Sequence, residues 1–115
     1  MNGNTTAIMA SILDNTDAVW FDPAFNSELD IFIRHRQDLL GITPLLIEAN
    51  LRVAYDRDIV GLLTSLRFPL KHHRSIMLVN GFNSNSDYLV DMDTIQIPNF
   101  SELEQFATIW QTKIN

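Results

Sequence analysis

The chain has 115 residues, 46% hydrophobic and 19% charged, with no cysteine and a net charge of −6. That length makes a single domain, residues 1–115, which buries somewhat more than ~60% of its unfolded surface. Without cysteine there is neither a disulfide framework nor a thiolate metal site, and the negative charge argues against general binding to nucleic acid or an anionic membrane.

The charge is uneven. Residues 34–74 hold seven of the eight Lys and Arg against four acids, so the flanks carry ten acids and Lys113. A basic middle with acidic ends suits head-to-tail docking or an acidic neighbour, although solvated faces explain most such charges. No apolar run approaches the ~18 residues of a spanning helix, and no signal pattern opens the chain, so a cytosolic start is expected.

Residues 5–13 read as a short helix with Ile8, Met9, Ile12 and Leu13 on one stripe and an N-cap among Asn4, Thr5 and Thr6. The stretch Val19–Asn26, VWFDPAFN, follows as a tight apolar loop around Asp22-Pro23. Trp20, Phe21 and Phe25 in that loop either fold back into the core or form an anchor for a partner, since proline-fixed aromatics cost little entropy to order. Asn26 or Ser27 can cap a second helix, with Leu29, Ile31, Phe32, Ile33, Leu39 and Leu40 as its buried face and Gly41 as its stop. Thr43 followed by Pro44 reads as the start of a third helix, running to about Tyr55.

Residues 59–68, IVGLLTSLRF, fit both a helical stripe (Ile59, Leu62, Leu63, Leu66) and strand alternation. The indifferent helix formers Gly61, Thr64 and Ser65, and Pro69 beyond them, favour strand. Residues 75–82 read as a strand ended by Asn80-Gly81, and residues 88–97 as another, with Tyr88, Val90 and Met92 on one face. Ser101 and Glu104 form a capping box for a closing helix carrying Leu103, Phe106, Ala107 and Trp110. The expected class is α+β: three N-terminal helices packed on a small antiparallel sheet, with a C-terminal helix.

Chemistry is thinly signalled. His72 and His73 sit in a polar turn and lack further ligands at zinc spacing. Asp91 and Asp93 share a strand face and are able to hold Mg²⁺, but no phosphate-gripping loop accompanies them, and an edge-protecting acidic face is the plainer reading. Glu28 and Glu48 have nothing to recommend them as a glycosidase pair, and no G-x-S-x-G elbow exists. A hydrolase is therefore the weakest of the functional readings, and no cofactor, metal or small-molecule substrate is expected.

Residues 7–97 resemble the small baseplate-wedge proteins of contractile phage tails, a family that includes the matching subunit of type VI secretion baseplates. The helix Ile8–Leu13, the loop closing on Phe21-Asp22-Pro23-Ala24-Phe25, and the stretch 47–59, IEANLRVAYDRDI, carry the likeness. The family's Pro-x-Phe-Gly has Asn26 in place of the glycine, which is mild because Asn tolerates a left-handed backbone. Its Glu-Pro-Arg signature is replaced by Asp56-Arg57-Asp58, its Gly-Glu-Arg by Asp14 to Ala18, and the helix 101–113 looks like an addition.

The resemblance implies a non-enzymatic structural component of a virion baseplate, assembled in host cytoplasm. It would offer strands to the first ring of sheath subunits by β-augmentation, and would also contact other wedge and inner-tail proteins. The strands 75–82 and 88–97 would be the pieces at stake, over a core of Ile12, Leu29, Phe32, Leu51, Met77, Val79 and Val90. Partner contacts are then expected from Trp20, Phe21, Pro23, Phe25, Asp56, Arg57, Met77, Val79, Val90 and Met92. A bacterial anti-adaptor that blocks a protease-delivery protein has a similar fold. A small acidic inhibitor binding one host protein is therefore the competing expectation.

Overall fold

The computed structural model describes residues 15–36, 38, 40–89 and 91–114. The expected helix 5–13, with Ile12, and the expected contact Val90 lie outside them.

Helix α1 (Asn15–Ala18) runs into a 3₁₀ turn, Val19–Phe21, and helix α2 spans Pro23–His35. This resolves the VWFDPAFN stretch. Asp22 is the N-cap, its Oδ1 accepting from Ala24 N–H at 2.9 Å, and Pro23 takes the first helical position, where its missing N–H costs nothing. The helix therefore starts at Pro23 and not at the Asn26–Ser27 caps.

Strand β1 is Thr43–Leu46, followed by helix α3 (Ala49–Ala54) and helix α4 (Ile59–Ser65). A 3₁₀ turn, Leu70–His72, leads directly into helix α5 (His73–Val79). Strand β2 is Thr94–Ile97, and helix α6 spans Phe100–Ile114. The class is α+β, with helices around a two-stranded antiparallel sheet and a C-terminal helix.

Four further local expectations are corrected. Thr43-Pro44 begins a strand, because pairing with Thr94–Ile97 overrides a local helix signal and an edge position tolerates proline. Residues 59–68 hold helix α4, whose N-cap Asp58 accepts from Gly61 N–H at 3.1 Å. Gly61 suits the cap because a Cβ there would collide with the Asp58 carboxylate. The buried set Ile59, Leu62 and Leu63 is the helical stripe, not the alternating one.

Residues 75–82 hold helix α5 and its C-cap. Leu78 and Val79 pack on one core cluster while Ile76 and Met77 belong to the other. A helix buried between two clusters is apolar on several sides and looks, over so short a run, like a buried strand. Among the described residues of 88–97 only Thr94–Ile97 is strand; Leu89 is fully buried and Tyr88 is exposed.

The core has two clusters among the described residues. The first gathers Val19, Trp20, Phe25, Leu29, Ile33, Leu40, Leu103 and Ala107, joining the N-terminal turn, α2 and α6. The second gathers Ile47, Ile59, Leu62, Leu63, Ile76, Leu89 and Ile95 under the sheet. Phe100 packs against both. The capping-box expectation is also corrected: Asn99 caps α6, its Oδ1 accepting from Ser101 N–H at 2.8 Å, which leaves Glu104 for another role.

Candidate functional site

The sheet pairs Thr43 with Ile97, Pro44 with Gln96, Leu45 with Ile95 and Leu46 with Thr94. Antiparallel pairs alternate between hydrogen-bonded and non-hydrogen-bonded. Pro44 has no N–H to give, and Ile47 N–H reaches Asp93 O at 2.9 Å, so the ladder runs through the odd-numbered residues of β1. The backbone groups of Pro44 and Leu46, and of Gln96 and Thr94 opposite, therefore point to the two outer edges.

Those edges differ. On β2, the Asn80 side chain closes the edge at Gln96: its Oδ1 accepts from Gln96 N–H at 2.7 Å and its Nδ2 donates to Gln96 O at 2.8 Å, while Thr94, whose outward groups have no partner among the described residues, is half-buried. On β1, the outward carbonyl of Pro44 and both backbone groups of Leu46 have no hydrogen-bond partner among the described residues. Leu46 itself is 72% exposed. Proline at an edge limits strand addition, so the open part of β1 centres on Leu46.

The residues expected to contact a partner scatter. Trp20 and Phe25 are core residues, 3% and 0% exposed, in edge-to-face contact at 5.2 Å. They tie the loop to α2 and α6 and are not available as docking anchors. Phe21 is half exposed and Pro23 exposed. Asp56 accepts from Leu89 N–H at 2.7 Å and so anchors the segment before β2, while Arg57 lies over the exposed Tyr88 ring at 5.1 Å. Met77 and Val79 are half-buried on a helix, so they offer no strand edge; Met92 is half-buried ahead of β2.

Met77 does line a surface cleft of about 500 Å³ between α2 and α5, with Val60, Leu78, Phe82, Arg34 and Arg74. Arg74 is held by Asp30 at 2.5 Å. His73, 5% exposed, forms part of the wall, its Nε2–H donating to Phe68 O at 2.8 Å.

The histidines do not form a polar turn. His72 is 2% exposed, stacked on Phe100 with centroids 4.4 Å apart and edge-on to Trp20 at 4.8 Å. Its Nε2 lies 3.0 Å from Glu104 Oε2, which also receives Lys71 Nζ at 2.7 Å. Asp17 adds a second carboxylate 3.3 Å from that ammonium. Burial holds the His72 imidazole below its ordinary value of 6.5 despite the pull of Glu104.

Asp91 and Asp93 precede the strand and share no strand face. Asp93 binds Arg52 at 3.1 Å, and Asp91 is exposed. Glu28 and Glu48 are exposed, Glu28 on α2 and Glu48 just ahead of α3. No group of three His, Asp or Glu able to hold a metal occurs among the described residues, and no helix among them is long and apolar enough to cross a membrane.

Sequence reasoning missed Pro44, Leu46, Asn80 and Gln96, the residues that define the edges. One signal was present: a proline inside an apolar run, Thr43-Pro44-Leu45-Leu46, marks an edge strand as readily as a helix start. No known protein family, curated protein or solved structure matches this chain.

Proposed function

We propose that this chain is a non-catalytic baseplate component of a contractile phage tail that initiates the sheath by pairing with strands of the first sheath ring. The observation that carries the reading is the asymmetry of the sheet, held at Gln96 by Asn80 along β2 and open at the exposed Leu46 along β1. An initiator needs one accessible edge on a sheet braced by helices, and the second core cluster braces this one.

Three outward backbone groups, at roughly 0.5–1.5 kcal/mol each, supply only a few kcal/mol. Side chains must supply the rest, and Leu46 is the exposed apolar group on the edge strand. The partners are the sheath subunit and neighbouring wedge and inner-tail proteins.

An acidic inhibitor is less well supported, because many of the acids have internal roles. Asp22 and Asp58 cap helices and Asp87 holds the Asn83 N–H. Asp17, Asp30, Asp93 and Glu104 sit in ion pairs.

The test is co-purification of tagged protein with sheath subunit and baseplate proteins. Leu46→Lys, which places a cation on the open edge, should abolish sheath recovery and leave the unfolding temperature unchanged. Unaltered recovery with Leu46→Lys would sink the edge, and recovery of one unrelated soluble protein would favour the inhibitor.

A further inference from the structure

The N-terminal turn, the turn at Leu70–His72 and helix α6 meet around the His72 ring. Phe100 covers one face, Trp20 abuts it edge-on, and Glu104 takes the Nε2 side. A carboxylate only accepts, so Nε2 carries the hydrogen. In the neutral ring Nδ1 is then a bare acceptor, buried and without a hydrogen-bond partner among the described residues. Trp20 Nε1–H is a donor in the same condition, also buried and unpartnered.

Two complementary orphans in rings that touch are a costly coincidence, since each unpaired buried group costs ~1–3 kcal/mol. A hydrogen bond between them, direct or through one buried water, would satisfy both. We infer that Trp20 Nε1–H and His72 Nδ1 form a pH-sensitive clasp, closed while His72 is neutral and opened when Nδ1 takes a proton, which loosens the N-terminal turn from the turn at Leu70–His72. The logic is one of donors and acceptors. The second proton has to go on Nδ1, and there it turns the acceptor into an N–H that faces the indole N–H.

The charged groups facing His72 are Asp17 from α1, Lys71 from its own turn and Glu104 from α6. Glu104 already holds the Nε2 hydrogen and does not reach Nδ1, while Lys71 opposes a second positive charge. His73 points elsewhere, to Phe68 O. Burial, which lowers the His72 value, acts in the same direction as this geometry. The clasp is independent of the sheath-initiator reading, since it concerns how the turn Val19–Phe21 is held and not what β1 binds.

The sign is definite. A histidine held below its ordinary value in the folded state contributes nothing against unfolding above that value, and destabilises the fold as pH drops beneath it. The folding equilibrium then weakens by up to about tenfold per pH unit below 6.5, until the lowered folded value is passed.

The experiment is an NMR titration of the full chain from pH 8 to 4.5, following the His72 ring protons and the Trp20 indole N–H, with Trp110→Phe to assign the indoles. His72 should titrate below 6.5, and the Trp20 indole signal should move in the same step. The thermal midpoint should fall over that range in the parent and in His73→Gln, but not in His72→Gln. A His72 titration at or above 6.5, or a Trp20 signal that ignores it, overturns the clasp. The titration of the parent protein decides the matter even where a variant fails to fold.

Discussion

Asn80 grips Gln96 by both backbone groups, accepting at 2.7 Å and donating at 2.8 Å, while its Nδ2 also donates to Ile76 O at 2.7 Å. One amide thus completes the end of helix α5 and substitutes for a third strand beside β2. Replacing Asn80 with Ala should cost about 1–3 kcal/mol, because it leaves part-buried backbone groups unpaired. Urea denaturation measures that cost, and sedimentation at rising concentration should reveal self-association through the exposed edge. A variant as stable and as monomeric as the parent would mean that the edge is closed by other means.

Helices α4 and α5 end in the same way with different residues. After α4, Arg67 has φ 66° and donates to Thr64 O, while Phe68 N–H reaches Leu63 O at 3.0 Å. After α5, Gly81 has φ 75° and donates to Leu78 O, while Phe82 N–H reaches Met77 O at 2.9 Å. Both are Schellman ends, but only one has glycine at the left-handed position. Arg67→Gly should therefore stabilise the protein by about 1 kcal/mol, and Gly81→Ala should destabilise it by ~1–2 kcal/mol. Opposite shifts in the urea midpoint are the expected result, and shifts of the same sign would contradict it.

The two phenylalanines of the Asp22-Pro23 loop should separate cleanly. Phe25 is fully buried and touches Trp20, Phe106 and Trp110, so Phe25→Ala should cost ~3–5 kcal/mol. Phe21 is half exposed, and Phe21→Ala should stay within about 1 kcal/mol of the parent. Any partner that loses affinity with Phe21→Ala at unchanged stability would identify this loop as a contact surface.

Lys71 governs the alkaline side. Partial burial alone would lower its ammonium, but hydrogen bonds and charge attraction from Glu104 and Asp17 outweigh it and raise the value above 10.5. A raised folded value stabilises below the ordinary value and is lost as pH climbs through the folded one. Thermal midpoints should therefore decline above pH 10.5, and Lys71→Met should flatten that part of the decline.

Local chemistry in the sequence determined the α+β class, the apolar stripe of the closing helix, the existence of α2 though with both ends expected too far towards the C-terminus, and the role of Asn80-Gly81 as a terminator. These depend on neighbours within a few residues: Asp before Pro, glycine after an apolar run, apolar residues three and four apart. The tertiary structure decided which short apolar runs became strands. Thr43–Leu46 carries a helix-start signal, yet it pairs with Thr94–Ile97 some fifty residues away. Residues 75–82 look like a strand, yet 73–79 form a helix because two separate clusters bury it. The edges of the sheet and the surroundings of His72 were equally invisible. Asn80 meets Gln96, and His72 meets Trp20 and Glu104, only after distant segments have packed, and spacing along the chain carries no record of those meetings.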